Sequence, residues 1–225
     1  MTNKYEFTGE TKQWLGVTLQ QIRALTTIAG VVSAGELGGW VQAETNLSQK
    51  ETSWVSGNAQ VSGNAQVSGN AQVRGNAQVY GNTQVSGNAW IYGDAWIYGN
   101  ARIRGNAQVR GNAQVRGNAQ ISGNAQISGN ARIYGNAWVY GNARVSGNAR
   151  VSGQLIVAMR SDGYQFTLFE TPDGARLTAD CRGPWTLAES RQHWKTTRGG
   201  TPLGDETLAI LAFFKKQATI RGWKL

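Results

Sequence analysis

The chain is poor in the residues from which hydrolytic sites, metal centres and disulfide scaffolds are built. Among 225 residues there is one cysteine, Cys181, one histidine, His193, three prolines and two methionines. A lone cysteine excludes an intrachain disulfide framework and suits a reducing interior. One histidine cannot supply a zinc site made of several imidazoles, so no metal and no cofactor is expected. Acidic residues are also scarce, 13 against 22 Lys and Arg, for a net charge of +9. That balance excludes a DNA mimic, which needs the opposite sign, and favours partners with acidic surfaces. Long apolar runs are absent too. Nothing approaches the roughly 20 residues of a bilayer span, and the opening Met-Thr-Asn-Lys-Tyr-Glu-Phe holds no apolar stretch of signal-peptide length. A soluble cytoplasmic protein without membrane contact is the expectation.

What the chain has instead is a period. Seventeen consecutive hexapeptides run from Val55 to Ile156 without insertion or deletion, Val61-Ser62-Gly63-Asn64-Ala65-Gln66 being typical. The first position is Val or Ile, the third Gly, the fourth Asn (Asp94 and Gln154 excepted), the fifth Ala (Thr83 and Leu155 excepted). Abundant Gly, Asn, Ser and Gln could mean disorder, but strict self-similarity marks a solenoid. A chain turning about 120° per hexad points the branched residue and Ala inward. Gly-Asn suits the corner, because Gly adopts positive φ freely and Asn tolerates the left-handed region. Three hexads make an 18-residue triangular coil. At about 4.8 Å per coil the prism stands roughly 27 Å tall. Apolar burial, backbone bonds between coils and ladders of like side chains would hold it together.

The ends read differently. Residues 1–40 form a small β cap, with short strands at Tyr5–Thr8 and Val17–Leu25 and a tight entry at Gly35–Trp40. Val41 and Leu47, six apart, suggest two irregular hexads before a two-residue bulge near Lys50–Ser53, so the solenoid is placed at 41–157. In 158–225, Tyr164–Glu170 and Ala175–Cys181 alternate across Pro172-Asp173-Gly174 as a hairpin. Thr186-Leu187-Ala188-Glu189 is a capping box that opens a helix through about Lys195. A second helix is expected from about Asp205 to Arg221, with Leu208, Leu211, Phe214 and Ala218 on one face. An open solenoid end templates aggregation, so capping is the expected job of both segments. The fold class is therefore mainly β, a single-stranded parallel β-helix with a β cap at one end and an α+β cap at the other.

The residues flanking each branched position face outward, and side chains 18 apart become vertical neighbours. One such ladder is Tyr80, Tyr98, Arg116, Tyr134, where ring and guanidinium stacking is worth about 0.5–1 kcal/mol per exposed contact. The coil from Trp90 to Arg104 carries large residues on all three walls: Trp90 and Tyr92, Trp96 and Tyr98, Arg102 and Arg104. Trp138 and Tyr140 lie on the wall of Arg102 and Arg104, two coils further on. Trp, Tyr and Arg are enriched at binding hot spots and form stacking-and-phosphate surfaces for nucleic acids. These eight residues are the candidate partner-binding site, with ladder stabilisation as the plain alternative. Walls broken by Arg and Trp, with only Thr83 as a repeat threonine, do not suit ice binding.

The pattern resembles the hexapeptide-repeat superfamily through the aliphatic first and small fifth positions of Val-Ser-Gly-Asn-Ala-Gln, which implies a left-handed coil that spacing alone cannot supply. The whole chain resembles the GNA-repeat proteins of phages and prophages. The head of the resemblance is Tyr5-Glu6-Phe7-Thr8-Gly9 with Gly35-Glu36-Leu37-Gly38-Gly39-Trp40. Its tail is Ser161-Asp162-Gly163-Tyr164, Asp180-Cys181-Arg182, His193-Trp194 and Gly204-Asp205-Glu206-Thr207. Acyltransferases of the superfamily use a histidine at a subunit groove beside a protruding loop, whereas His193 falls on a tail helix and no loop interrupts the hexads. Cys181 with His193 lacks a third orienting group, and a histidine packed beside Trp194 is the simpler reading. A non-enzymatic, phage-type protein that binds a macromolecular partner, inhibiting a host or defence protein, is the leading expectation. Binding of nucleic acid or a nucleotide signal is the alternative, and a degenerate acyltransferase the third. The resemblance further implies a trimeric or dimeric homo-oligomer in the bacterial host cytoplasm, with virion association open.

Overall fold

The computed structural model describes residues 3–180 and 182–225; Cys181, and with it any pairing to His193, lies outside them. The chain opens with an antiparallel hairpin, β1 (Tyr5–Trp14) and β2 (Val17–Ala24), followed by β3 (Leu37–Val41). The strand expected to stop at Gly9 continues to Trp14. Gly9 takes φ +90° inside a register shift between Phe7 and Thr11, so it bends the strand without ending it.

From there the hexads wind as a three-sided parallel solenoid. Two-residue strands run from β4 (Trp54–Val55) to β20 (Arg150–Val151), and all but the last three pair with the strand 18 residues on, as Trp90 and Ile91 do with Gln108 and Val109. The first wall carries Val61, Val79, Ile97, Val115, Ile133 and Val151 inward; the second, Val55, Val73, Ile91, Val109, Ile127 and Val145; the third, Val67, Val85, Ile103, Ile121 and Val139. All are buried, with the corner alanines packed beside them. Above the regular coils, Val41 pairs with Val61 and Leu47 with Val67, 20 residues apart and not 18. The two extra residues lie around Glu51, which adopts φ +62°, where the spacing implied a bulge.

Each coil is tied to the next through backbone and corner. Gln72 N–H donates to the Ala89 carbonyl at 2.9 Å, Arg74 N–H to Ile91 at 2.8 Å and Asn76 N–H to Gly93 at 2.9 Å. Corner asparagines stack in ladders, amide nitrogen to the oxygen 18 residues on, as from Asn64 through Asn82, Asn100 and Asn118 to Asn136. Asp94 takes a bond from Asn76 at 2.8 Å but, as a carboxylate, has no hydrogen to pass to Asn112, so that column is interrupted there. The corner glycines matter because the coils approach closely: a Cβ on Gly87, which sits at φ +69°, would stand 2.8 Å from Gly105 N.

Both ends of the core are covered. Above, Tyr5, Ile22, Ala24, Ile28 and Val32 join the aliphatic column. Tyr5 donates its hydroxyl to the Leu47 carbonyl at 2.9 Å. The buried Lys4 ammonium donates to the Ser53 carbonyl at 2.7 Å, and burial lowers its pKa to about 8 against the pull of Glu51. Below, Leu155 and Phe169 close the column. They belong to an antiparallel sheet of β21 (Leu155–Met159), β22 (Gln165–Thr171), β23 (Gly174–Ala179) and β24 (Arg182–Trp185). The hairpin read from the sequence is the β22–β23 pair. Its flanking strands were not legible, because Leu155 fits the hexad pattern while it already begins the cap.

Helices α1 (Leu187–Arg198) and α2 (Pro202–Ile220) pack on this sheet. The capping box forms: Glu189 N–H donates to the Thr186 hydroxyl at 3.1 Å, and Thr186 N–H to the Glu189 carboxylate at 2.8 Å. Those bonds hold the Glu189 carboxyl below its usual range. Helix α1 continues one turn beyond Lys195, and α2 starts earlier than Asp205 because Thr201 caps it ahead of Pro202. Leu211, Phe214 and Ala218 are buried as the pattern implied, and Leu208 half-buried.

Candidate functional site

The outward residues divide among three walls that face away from one another, so the eight candidate side chains do not form one patch. On the first wall the ladder forms in part. Tyr80 and Tyr98 stack with centroids 5.1 Å apart and planes 1° from parallel, and the Arg116 guanidinium lies 5.5 Å over Tyr134. The tip of the β1–β2 hairpin comes down on this wall: Trp14 packs edge-on against Tyr80 at 5.4 Å, and the Lys12 ammonium sits 4.3 Å over Trp40. Burial, then the neighbouring Tyr98, raises the Tyr80 pKa. Nothing in the hexads announces this cover.

On the second wall, Arg74 lies 5.0 Å over Trp90, and Arg110 donates to the Tyr92 hydroxyl at 3.3 Å. At its foot, Arg144 pairs with Asp180 at 2.7 Å and its carbonyl accepts from Thr178 at 2.9 Å, joining the lower cap to the coil.

The third wall is different. Trp138 and Tyr140 are 49% and 52% exposed, and Arg102 and Arg104 are exposed two coils above them. Among the described residues no ion pair, ring contact or cation–π contact engages these four side chains. Between them Gln120 and Ser122 make the floor of a depression of about 320 Å³, lined also by Arg104, Trp138, Tyr140 and Gln154. Higher on this wall Gln66, Ser68, Gln84 and Ser86 present only short polar groups.

The tail motifs converge as well, into packing. The buried Arg160 guanidinium makes two bonds to Asp162, at 2.9 and 2.7 Å, and one to Thr207 at 2.9 Å. It lies over Tyr164 at 4.9 Å and Trp194 at 5.3 Å. Ser161 donates through both its amide and its hydroxyl to Glu206. His193 sits between Trp185 and Trp194, 4.9 and 5.1 Å from their rings. A further surface that sequence reasoning missed is an apolar groove between α1 and α2, about 790 Å³, lined by Leu187, Leu211 and Ile220 with Arg191, Lys215 and Lys216 at its margin. Among the described residues no three His, Cys, Asp or Glu side chains cluster, and no helix is long and apolar enough to cross a membrane.

Residues 53–159 match a family model described as "Bactofilin: Polymer-forming cytoskeletal". The match spans a little under half of the chain and coincides with the regular coils. No curated protein matches the chain.

This similarity corrects the resemblance drawn from the motif. The matched family is a different β-helix family from the hexapeptide-repeat and phage GNA-repeat proteins. An aliphatic residue every sixth position and a small one at the corner are what any three-sided coil requires, so the pattern reports packing and not descent. The phage-type partner binder acting on a host or defence protein falls with it, as does virion association. The nucleic-acid or nucleotide binder and the degenerate acyltransferase are overturned by the same finding.

Proposed function

We propose that the protein is a structural, non-enzymatic building block that associates with copies of itself into a polymer. The observation that carries this reading is the extent of the family match: it begins and ends with the uninterrupted coil, and the matched family is described as polymer-forming and cytoskeletal. The physics of the coil supports it. A prism with a close-packed aliphatic core, closed by hydrogen bonds on three walls, is a stiff element of fixed length and suits load-bearing assembly. With both ends covered by caps, the side walls are the surfaces another copy can reach, and the third wall carries large side chains without internal partners.

Sedimentation velocity and negative-stain electron microscopy of the purified full chain, over a wide concentration range and at low and high salt, test the reading. Extended assemblies that grow with concentration are expected. A monomer at every concentration overturns it.

A further inference from the structure

We infer that the third wall is a two-fold contact between antiparallel copies of this chain, with Arg102 and Arg104 of each copy seated on Trp138 and Tyr140 of the other. The inference rests on the self-assembly reading above and names one contact within it: a two-fold contact closes on a pair of copies, and growth of the polymer from that pair proceeds through another surface.

Arg102 and Trp138 occupy the same outward position of the same wall, two coils apart through Gln120. Arg104 and Tyr140 are related in the same way through Ser122. The wall thus carries a cationic rung, a small polar rung and an aromatic rung, with neighbouring rungs about 4.8 Å apart. A two-fold axis lying in the interface along the Gln120–Ser122 rung reverses the vertical order of the facing wall and leaves the lateral order unchanged. It places Arg102 opposite the second copy's Trp138, and Arg104 opposite its Tyr140. The middle rung meets its own image. The patch is therefore self-complementary, as an isologous interface must be.

The alternative orientation is disfavoured by charge. A two-fold axis parallel to the solenoid would set Arg102 against the second copy's Arg104, two guanidinium groups with no acid between them. Asp94, the only acid within the hexads, stands at a corner column next to the second wall's strands. Antiparallel pairing instead gives each guanidinium a ring face, the contact that Arg74–Trp90 and Arg116–Tyr134 already make inside one chain. The other walls do not set a free cationic rung and a free aromatic rung about a polar one: on the first, Tyr80 stacks on Tyr98 and Arg116 on Tyr134, and on the second Arg74 and Arg110 engage Trp90 and Tyr92.

Crosslinking at the middle rung tests the geometry. Facing sheets stand about 10 Å apart, too far for a direct disulfide between single cysteines, so a short bismaleimide is the probe. In a Cys181→Ser background, Gln120→Cys is expected to form a covalent dimer with itself, and Ser122→Cys likewise, which covers the case in which one of the two fails to fold. Gln84→Cys, on the same wall but two coils from the axis, is expected to stay uncrosslinked. In the otherwise native chain, Arg102→Gln with Arg104→Gln is expected to weaken association roughly tenfold or more. If the chain assembles but neither middle-rung cysteine crosslinks, or Gln84→Cys crosslinks equally well, the third-wall pairing is wrong and the polymer reading stands. If the native chain does not assemble at all, both are wrong.

Discussion

Replacing Gly87 and Gly141 in turn by alanine separates two reasons for a corner glycine that every coil otherwise combines. Both sit in the left-handed region, Gly87 at φ +69° and Gly141 at φ +64°. An L-residue there costs about 1–2 kcal/mol, offset by about 0.4–1 kcal/mol from the stiffer unfolded chain. Their surroundings differ. A Cβ on Gly141 meets nothing within 4 Å, whereas on Gly87 it would stand 2.8 Å from Gly105 N and 3.0 Å from Gly105 O. Those atoms are corner backbone held between the paired strands Arg102–Ile103 and Gln108–Val109 and cannot swing aside. To make room the coils must part locally, weakening the bond from Asn88 N–H to the Gly105 carbonyl, now 2.8 Å. Losing that bond and some adjoining packing adds about 2 kcal/mol. The expected loss is then about 1 kcal/mol for Gly141→Ala and about 3 kcal/mol for Gly87→Ala. At roughly 2–4 °C per kcal/mol for a chain of this length, circular dichroism melts should place Gly87→Ala at least about 4 °C below Gly141→Ala. Gly→Asn at both sites refines the comparison, since Asn tolerates the conformation but not the contact. If the two alanine variants melt together, backbone proximity is not what demands glycine, and the account of coil stacking given above fails.

Two other expectations concern buried polar groups. The Thr83 hydroxyl, at a position held by alanine in every other hexad but the last, is fully buried without a hydrogen-bond partner, so Thr83→Val should raise the melting temperature by about 2–4 °C, equivalent to about 1 kcal/mol; a lower melting temperature would show that the hydroxyl is satisfied. Lys4 has a folded pKa of about 8 against an ordinary 10.5, so between those values the unfolded chain binds more protons and stability should rise with pH. Tyr5, whose pKa burial raises, works in the opposite direction only above about pH 10. Denaturant melts at pH 7 and pH 9.5 should therefore show a larger gain in the native chain than in Lys4→Met, where Lys12, its pKa also lowered by burial, still acts in the same sense, and equal slopes in both proteins would remove Lys4 from the account.

Much of the architecture was legible because it follows from a short-range rule repeated many times. One hexad such as Val61–Gln66 states which side chain turns inward and where the chain bends, and identical neighbours leave no other register. The bulge near Glu51 was legible for the same reason, as a break in that count. The caps were less so. The β22–β23 hairpin and the capping box at Thr186 are local signals and were found, but β21 hides inside the last hexad and β24 carries too little alternation to announce itself. Family was read wrongly, because Val, Gly, Asn and Ala at those spacings satisfy the demands of a coil irrespective of ancestry.

Sequence by itself determined the period, the inward columns and the list of outward Trp, Tyr and Arg side chains, since each depends only on residues a few positions apart or on multiples of 18. Which of those side chains remain available was decided only by tertiary structure. Trp14 reaches Tyr80 across 66 positions, and Arg144 reaches Asp180 across 36. Such contacts depend on where a bent hairpin and a terminal sheet come to rest. They occupy parts of two walls and leave Arg102, Arg104, Trp138 and Tyr140 facing solvent on the third.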